Sequence, residues 1–368
     1  MLTLKSFASA YLEKIVIPQR LITTIRQLGE YKGKQELYQQ QAPEMLENLR
    51  QVAMIQSTES SNRLEGIVAD EKRLRALVAE KTTPTNRSEA EIAGYCDVLS
   101  TIHVNSGRIP FTDNIVLQLH RDLMKYSGKE GGRWKSTTNE ITETLPDGSK
   151  QVRFVPVAPH QTAEYMRLLH ERYNELTRDQ VWDPLFLISF YVLDFLCIHP
   201  FLDGNGRMAR LLTVLLLYHN GYEVGRYISL ERVIEQSKES YYDTLYASSL
   251  GWHEGTHDVL PWTEYLLSTL LAGYREFEGR FGRISSGAGS KTDMVLNAID
   301  GMLIDFSIAD LERACPMVSR DLIRHVLVKL KKEGKIENLS KGKYARWRRL
   351  KAVIDKSNVV KSGHLLPH

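Results

Sequence analysis

Residues 199–210 read HPFLDGNGRMAR, a stretch that holds an imidazole, a carboxylate, a Gly-Asn-Gly turn and two guanidinium groups. Each of these suits one task in handling phosphate. His199 is the one group of the run with a near-neutral intrinsic pKa, so it can take the proton of an attacking hydroxyl as a general base. Asp203 is a hard oxygen ligand suited to one Mg²⁺ that bridges two phosphates and keeps most of its waters. Gly204, Asn205 and Gly206 lie where a helix is expected to begin. The first helical turn presents unpaired N–H groups at the positive end of its dipole, and glycines let phosphate oxygens reach them. Arg207 and Arg210 stand one helical turn apart on the same side and can reach the outer phosphates of a leaving group. Phe201 is expected to anchor the loop in the core.

The elements around the run must hold it still. Residues 184–198 and 208–218 are strongly apolar, so the run reads as the loop between two buried helices and the start of the second. Most of residues 1–280 has helical periodicity, as at 89–102, 113–124, 162–176 and 262–277. The exception lies between Trp134 and Pro159, where polar KSTTNEI and alternating QVRFVPV flank a Pro146-Asp147-Gly148 turn and predict a β-hairpin. ISSGAGS at 284–290 is too rich in Gly and Ser to pack and reads as a linker. Beyond it, helices are expected at 293–302, at 307–314 capped by Ser307 and at 319–332 capped by Ser319, the last ended by Gly334. Two strand-like pieces at 335–338 and 343–347, joined by a turn at 340–342, complete a winged-helix pattern.

At 368 residues, 42 % hydrophobic and 25 % charged, the chain has ordinary globular composition and room for more than one domain. Cys96, Cys197 and Cys315 lack CxxC spacing, which argues against a disulfide framework or a thiolate zinc site and leads to the expectation of a cytoplasmic setting. The first residues lack a signal-peptide apolar core. The longest apolar stretch, 185–198, is short for a membrane span and carries Asp194, so no membrane partner is expected. The net charge of +3 is unevenly spread: residues 291–351 hold 14 Lys and Arg against 8 Asp and Glu. A basic C-terminal segment on a slightly acidic body reads as a separate module.

Residues 199–210 match, at every defined position, the signature HPFx(D/E)GNGRxxR of the Fic (Fido) family, and the chain resembles Fic protein adenylyltransferases over roughly residues 1–275. The resemblance implies a mainly α fold, a Fic-type helical core with a β-hairpin flap, here followed by a small winged-helix domain. The expected division is an N-terminal helical region at 1–105, a catalytic core at 106–282 with the flap hairpin at 135–157, a linker at 283–290, the winged helix at 291–351 and a tail at 352–368. The implied activity is Mg²⁺-dependent transfer of AMP from ATP, the co-substrate, onto a Ser, Thr or Tyr hydroxyl of a target protein or of the chain itself. In that frame His199 is the base, Asp203 the metal ligand, and Gly204, Asn205, Gly206, Arg207 and Arg210 bind the nucleotide. Tyr241 and Tyr242, in the run SKESYYDTLY, are placed to flank the adenine, although aromatics at helical spacing also pack in cores.

A second segment, SNRLEG from Ser61 to Gly66, resembles the family's inhibitory pattern (S/T)xxxE(G/N) within a helix expected at about 57–68. In the family this glutamate, here Glu65, pairs with the second arginine of the signature, here Arg210, and keeps the ATP γ-phosphate from docking productively. Autoinhibition is therefore expected. The hairpin resembles the family flap, which holds a target segment by strand addition; Thr138, Asn139, Glu140, Ile141 and Thr142 would supply main-chain donors and acceptors.

Two signals point elsewhere. HEGTH at 253–257 satisfies the zincin pattern HExxH, with Glu276 downstream, but Gly251, Gly255 and Pro261 deny it the continuous helix that a zincin needs. The basic module carries Arg320, Arg324, His325 and Lys329 on its third helix, with Lys341, Lys343, Arg346, Arg348 and Arg349 at the wing. DNA binding, self-association into a homodimer, peptide docking and a solvated face all stay open for it. Two rival functions stay open as well: removal of AMP from a modified protein through Glu65, and a nucleotide-responsive DNA-binding regulator.

Overall fold

The computed structural model describes residues 5–41, 43–79, 81–144, 148–285, 291–302, 305–315, 318–340 and 345–350. The chain is mainly helical. The helices are α1 (Ser9–Leu12), α2 (Gln19–Gln41), α3 (Pro43–Leu64), α4 (Glu71–Val78), α5 (Arg87–Asn105), α6 (Asp113–Met124), α7 (Pro159–Asp179), α8 (Pro184–Ile198), α9 (Asn205–His219), α10 (Leu230–Gln236), α11 (Lys238–Ser249) and α12 (Leu260–Ser285), with β1 (Ile141–Thr144) and β2 (Lys150–Phe154) between α6 and α7. Then follow α13 (Lys291–Gly301), β3 (Phe306–Ser307), α14 (Ile308–Ala314), α15 (Arg320–Lys332), β4 (Ile336–Asn338) and β5 (Arg346–Arg349). The contacts divide the chain into two compact units, one drawing on Met1–Leu37 and Ala53–Arg275, the other on Tyr38–Val52 and Glu276–His368. No helix among the described residues is long and apolar enough to cross a membrane.

The first unit is organised around α8, which is apolar on every face and packs against both α7 and α9. Such a helix belongs in a core. Asp183 caps its start by accepting from the Leu185 N–H, and Pro184 takes the first turn, where its missing N–H costs nothing. At the other end Pro200 cannot continue the helix, and His199 turns into the left-handed region at φ 50°. Gly204, at φ 81°, then leads the chain into α9. The loop that carries the signature is thus strung between two rigid buried helices.

The helix that bears Ser61 is longer than the expected 57–68. It runs back to Pro43, burying Leu46, Leu49, Val52, Ala53 and Ile55 along its first half, while its last turns bury the small polar residues Ser57, Thr58, Ser60, Ser61 and Asn62. The Ser57 hydroxyl reaches across the core and donates to Glu231 at 2.6 Å, and Tyr95 donates to the same carboxylate at 2.9 Å. Past Leu64, the Ile67 N–H reaches back to the Asn62 carbonyl and the Gly66 N–H to that of Arg63, both at 2.9 Å. This bonding closes a Schellman motif, which needs a left-handed residue at Gly66, where φ is 75°. Glu65 therefore sits at the helix end in a fixed position.

In the hairpin, Ile141 pairs with Phe154 and Thr142 with Val152, with an irregularity between the two. The expected Pro146 turn lies outside the described residues. Only Ile141 and Thr142 of the expected docking edge belong to β1; Thr138, Asn139 and Glu140 form a loop ahead of it because the Asn139 side chain is turned inward, as described below.

The second unit has its own core of Val295, Ile299, Leu311, Ile323, Val326, Leu327 and Trp347, among others, beneath an antiparallel sheet of order β3-β5-β4. Ser307 and Asp310 form a capping box at α14, and Ser319 caps α15 by accepting from the Leu322 N–H. Strand β3 had no sequence signal, being two residues long, and β5 runs from Arg346 to Arg349, while Lys343, where the strand is expected to start, lies outside the described residues. Helix α12 continues to Ser285, past the start of the expected linker; residues 286–290, 341–344 of the wing turn and the tail at 352–368 lie outside the described residues.

Candidate active site

A cavity of about 940 Å³ opens over the α8–α9 loop, large enough for a nucleotide. His199, Asp203, Gly204, Asn205, Gly206 and Arg210 line one side of it. Glu65, the α11 residues Tyr241 and Tyr242, and the hairpin residues Ile141, Thr142, Arg153 and Phe154 line the rest.

The half-buried His199 holds its Nδ1 3.2 Å from the Leu196 carbonyl. A carbonyl can only accept, so Nδ1 carries the proton and the Nε2 lone pair is left for other work. Burial pushes this imidazole down to about 4, helped by the Lys135 charge and opposed by the Leu196 carbonyl and Glu65. It is neutral at physiological pH, with a lone pair available to accept a proton.

The loop is held by its own side chains. Phe201 is fully buried and stacks on His120 with ring centroids 3.6 Å apart. The Asn205 amide bonds both ways to Phe201, accepting from its N–H at 2.9 Å and donating to its carbonyl at 2.7 Å. The Asn205 side chain is thus committed to the loop, and what it presents to a ligand is the backbone at the start of α9. Replacement of Phe201 by Ala is expected to destabilise the protein by about 3–5 kcal/mol, the usual cost of deleting a buried aromatic ring. Denaturant unfolding checks this, and a loss under about 1 kcal/mol would show that the ring is no anchor.

Asp203 pairs with Lys129 and, at 3.5 Å, with Arg207. Burial works to raise its pKa, but the Lys129 bond and the Arg207 charge outweigh it and hold the carboxyl below its usual range. An ionised, part-exposed carboxylate lining a cavity fits a Mg²⁺ ion shared with phosphates, which needs only one or two protein carboxylates. Among the described residues no group of three or more His, Cys, Asp or Glu forms an all-protein metal cage.

The two arginines are placed differently. Arg207 is 1 % exposed and does not line the cavity; it pairs with Glu91 of α5 at 2.9 Å and braces Asp203 from behind. Arg210 faces the cavity. Its Nε donates to the Ser61 hydroxyl at 2.8 Å, and its Nη2 donates to the Ser61 carbonyl at 2.9 Å and to Glu65 Oε1 at 2.7 Å. Burial opposes the Arg210 charge, yet Glu65 more than compensates and raises its pKa above the ordinary value. Ser61, Glu65 and Gly66 therefore act as one device, a helix end that seizes one guanidinium. A Cβ on Gly206 would collide with Glu65 Oε1, so this carboxylate lies directly against the start of α9, where an anion is favoured.

Tyr241 is 3 % exposed and packs edge-on against Trp262, whereas Tyr242 is 39 % exposed and donates from its hydroxyl to the Leu64 carbonyl at 3.3 Å. Both line the cavity, and Tyr242 is the more exposed of the two. Asn139 donates to the Phe201 carbonyl at 3.0 Å and accepts from Lys135 Nζ at 2.9 Å, so it secures the loop. In the turn region after α11, His253 contacts the Val155 carbonyl and His257 the Ser6 hydroxyl, each through Nε2. At the wing, Arg348 pairs with Asp305 at 2.8 Å and Arg349 with Asp300 at 3.2 Å.

Four contributors escaped the sequence reading: Glu91, Lys129, Lys135 and His120. For His120 a signal existed. It stands on the buried face of amphipathic α6 with Val116, Leu119 and Leu123, and a polar residue there needs partners, which it has in the Gly132 N–H and the Asp203 carbonyl at 3.0 and 3.1 Å.

Residues 110–217 match the model of the Fic/DOC family. Among relatives, the chain is 25 % identical over 209 residues to the protein adenylyltransferase fic-1 of Caenorhabditis elegans, covering 56 % of this chain and 34 % of that protein. It is 27 % identical over 179 residues to the protein adenylyltransferase Fic of Nematostella vectensis, covering 46 % and 39 % respectively. The chain thus spans little more than a third of the length of these curated relatives. Among solved structures, a Fic family protein from Desulfovibrio desulfuricans G20 superposes with a TM-score of 0.58 at 21 % identity, covering 91 % of this chain and 97 % of the other. A Fic domain containing signaling protein from Bacteroides thetaiotaomicron gives 0.57 at 23 % identity over 68 % and 95 %. Signature, helical architecture and family match agree: the chain carries a Fic/DOC family domain at residues 110–217.

Proposed function

We propose that this protein is an autoinhibited, Mg²⁺-dependent protein adenylyltransferase that moves AMP from ATP onto a Ser, Thr or Tyr hydroxyl of a target protein or of itself. The observation that carries the reading is the Glu65–Arg210 pair, set at 2.7 Å inside the cavity that also holds the free face of His199. A cationic side chain poised over a helix start, with a carboxylate lodged where a phosphate would bind, is the arrangement expected of a phosphate site with a built-in competitor.

The chemistry follows from these residues. Nε2 of His199 takes the proton of the attacking hydroxyl, whose oxygen bonds to the α-phosphorus as the bond from phosphorus to the bridging oxygen breaks and pyrophosphate departs. The N–H groups at Gly204, Asn205 and Gly206 receive the charge that builds on the α-phosphate oxygens, and as fixed dipoles they need no reorganisation. Asp203 would hold Mg²⁺, whose chemistry is to neutralise charge on bridging phosphate oxygens. Arg210, once freed from Glu65, orients the outer phosphates, while Arg207 keeps Asp203 in place from behind the loop. The edge formed by Ile141 and Thr142 presents the target backbone. The buried cysteines Cys96, Cys197 and Cys315, none of them in a disulfide, support a reducing, cytoplasmic setting.

Incubation of the purified protein with ATP labelled in turn on the α- and γ-phosphates, followed by mass analysis, tests this. Retention of α-label with AMP mass is expected; retention of γ-label would mean phosphorylation, and neither label on any protein would count against transfer. The wing arginines are engaged by Asp300 and Asp305, so DNA binding is not part of the proposal. A mobility-shift titration is expected to show no affinity that falls steeply with salt, the mark of phosphate contacts.

A further inference from the structure

Lys135 lies ahead of the hairpin in a polar run, the usual setting of a solvated lysine, yet it is 4 % exposed. Its Nζ donates to the Ile198 carbonyl at 3.0 Å and to Asn139 Oδ1 at 2.9 Å, and its backbone N–H donates to the Pro200 carbonyl at 2.8 Å. It therefore grips the chain on both sides of His199. Asn139 extends the grip, with its Nδ2 3.4 Å from the His199 carbonyl and 3.0 Å from that of Phe201. Neither acceptor of the ammonium is a carboxylate, so its charge is not cancelled at the point of contact. Burying an ammonium that way is costly, and a neutral side chain could brace the loop more cheaply.

We propose that Lys135 is a positioning residue for the transfer reaction, which uses both its bonds and its charge to keep the His199 imidazole fixed and unprotonated. This rests on the reading of His199 as the base. The other charges around His199 come from several elements. Glu65, beyond α3, favours the protonated imidazole, and Asp203 and Arg210 stand on the loop and on α9 with opposite signs. Arg153 of β2 and Lys238, Glu239 and Asp243 of α11 line the cavity with balanced charge. Lys135 is the cation that the loop itself encloses. Burial pushes its own proton affinity down to about 8, so it is charged through the neutral range and loses its proton just above it.

The test follows the His199 ring by NMR in the full chain, with labelled histidine assigned through His199→Ala, alongside rate profiles against pH. In Lys135→Met the imidazole titration is expected to move up by about one pH unit, the usual scale for removal of a nearby like charge. Lys135→Arg, which keeps the charge, is expected to restore the wild-type position. The acidic limb of the rate profile should move with the ring. A purely structural role for Lys135 would lower the rate at every pH and leave the titration unmoved, and that result overturns the proposal. If the ring titration shifts and the rate limb does not, Lys135 acts as proposed on the imidazole and it is the base role of His199 that fails. If Lys135→Met does not fold, the wild type still decides: the His199 resonance must show a second inflection near 8 as Lys135 deprotonates, and its absence overturns the proposal.

Discussion

Glu65→Gly is expected to raise adenylylation roughly 5- to 150-fold, the span of a coupling free energy of about 1–3 kcal/mol. In the wild type Arg210 has a partner already; a triphosphate must displace Glu65 before its outer phosphates meet the guanidinium, and only the fraction of molecules with Glu65 withdrawn is competent. The variant removes that competitor and opens the space against Gly206 where the carboxylate lay. It also leaves a buried arginine without its acid, which costs stability until ATP supplies the missing anion. Added ATP should therefore raise the Tm of the variant by more than that of the wild type, since a ligand that binds only the native state stabilises it more at a given concentration the tighter it binds. Initial rates with α-labelled ATP and thermal melts check both statements. A fall in adenylylation, or loss of AMP removal by an otherwise intact protein, would show Glu65 acting on water at the phosphodiester of a modified target. The rival hydrolytic reading would then take over.

How far the site was legible in advance follows from where its partners sit in the chain. His199, Asp203 and the glycines announce themselves because they follow one another closely in a single loop that runs into a helix start, and the flanking apolar runs show that the loop is held by core helices. Glu65 was legible only through its resemblance to an inhibitory pattern; nothing local in SNRLEG says that its carboxylate meets an arginine of α9. The Gly66 turn, by contrast, follows from the general preference of helix ends for a left-handed glycine. The assignment of both Arg207 and Arg210 to phosphates overlooked Glu91. A buried acid on α5 captures Arg207, and such a long-range pair leaves no periodic trace in sequence. Lys135 was hidden for the opposite reason, since its neighbours are polar and exposed and only the fold turns it inward. The helical architecture was clear wherever apolar residues recur, and obscure in the last turns of α3, where the buried hydroxyls of Ser57, Thr58, Ser60 and Ser61 interrupt the aliphatic pattern.

His199→Ala is expected to lower the transfer rate by about 10² to 10⁴, the usual contribution of a positioned general base, while leaving ATP affinity within a few-fold of wild type. The two readouts separate because the ring sits beside the anion site rather than within it. Phosphate oxygens are to be met by the α9 start and Arg210, whereas the imidazole is tied through Nδ1 to Leu196 and presents Nε2 to an incoming hydroxyl. A base that is neutral down to about pH 4 also fixes the shape of the wild-type profile. Its proton affinity is depressed, so the free base, which is the active form, persists as pH falls and is lost only as pH passes below that value; activity at pH 5.5 should be close to that at pH 7. Combining His199→Ala with Glu65→Gly tests the order of events. Freed Arg210 can orient the triphosphate, but it cannot accept the hydroxyl proton, so the double variant should bind ATP like Glu65→Gly and transfer no faster than His199→Ala. Recovery of the Glu65→Gly rate in the double variant would remove His199 from the chemistry and leave orientation of the triphosphate as the step that limits this site.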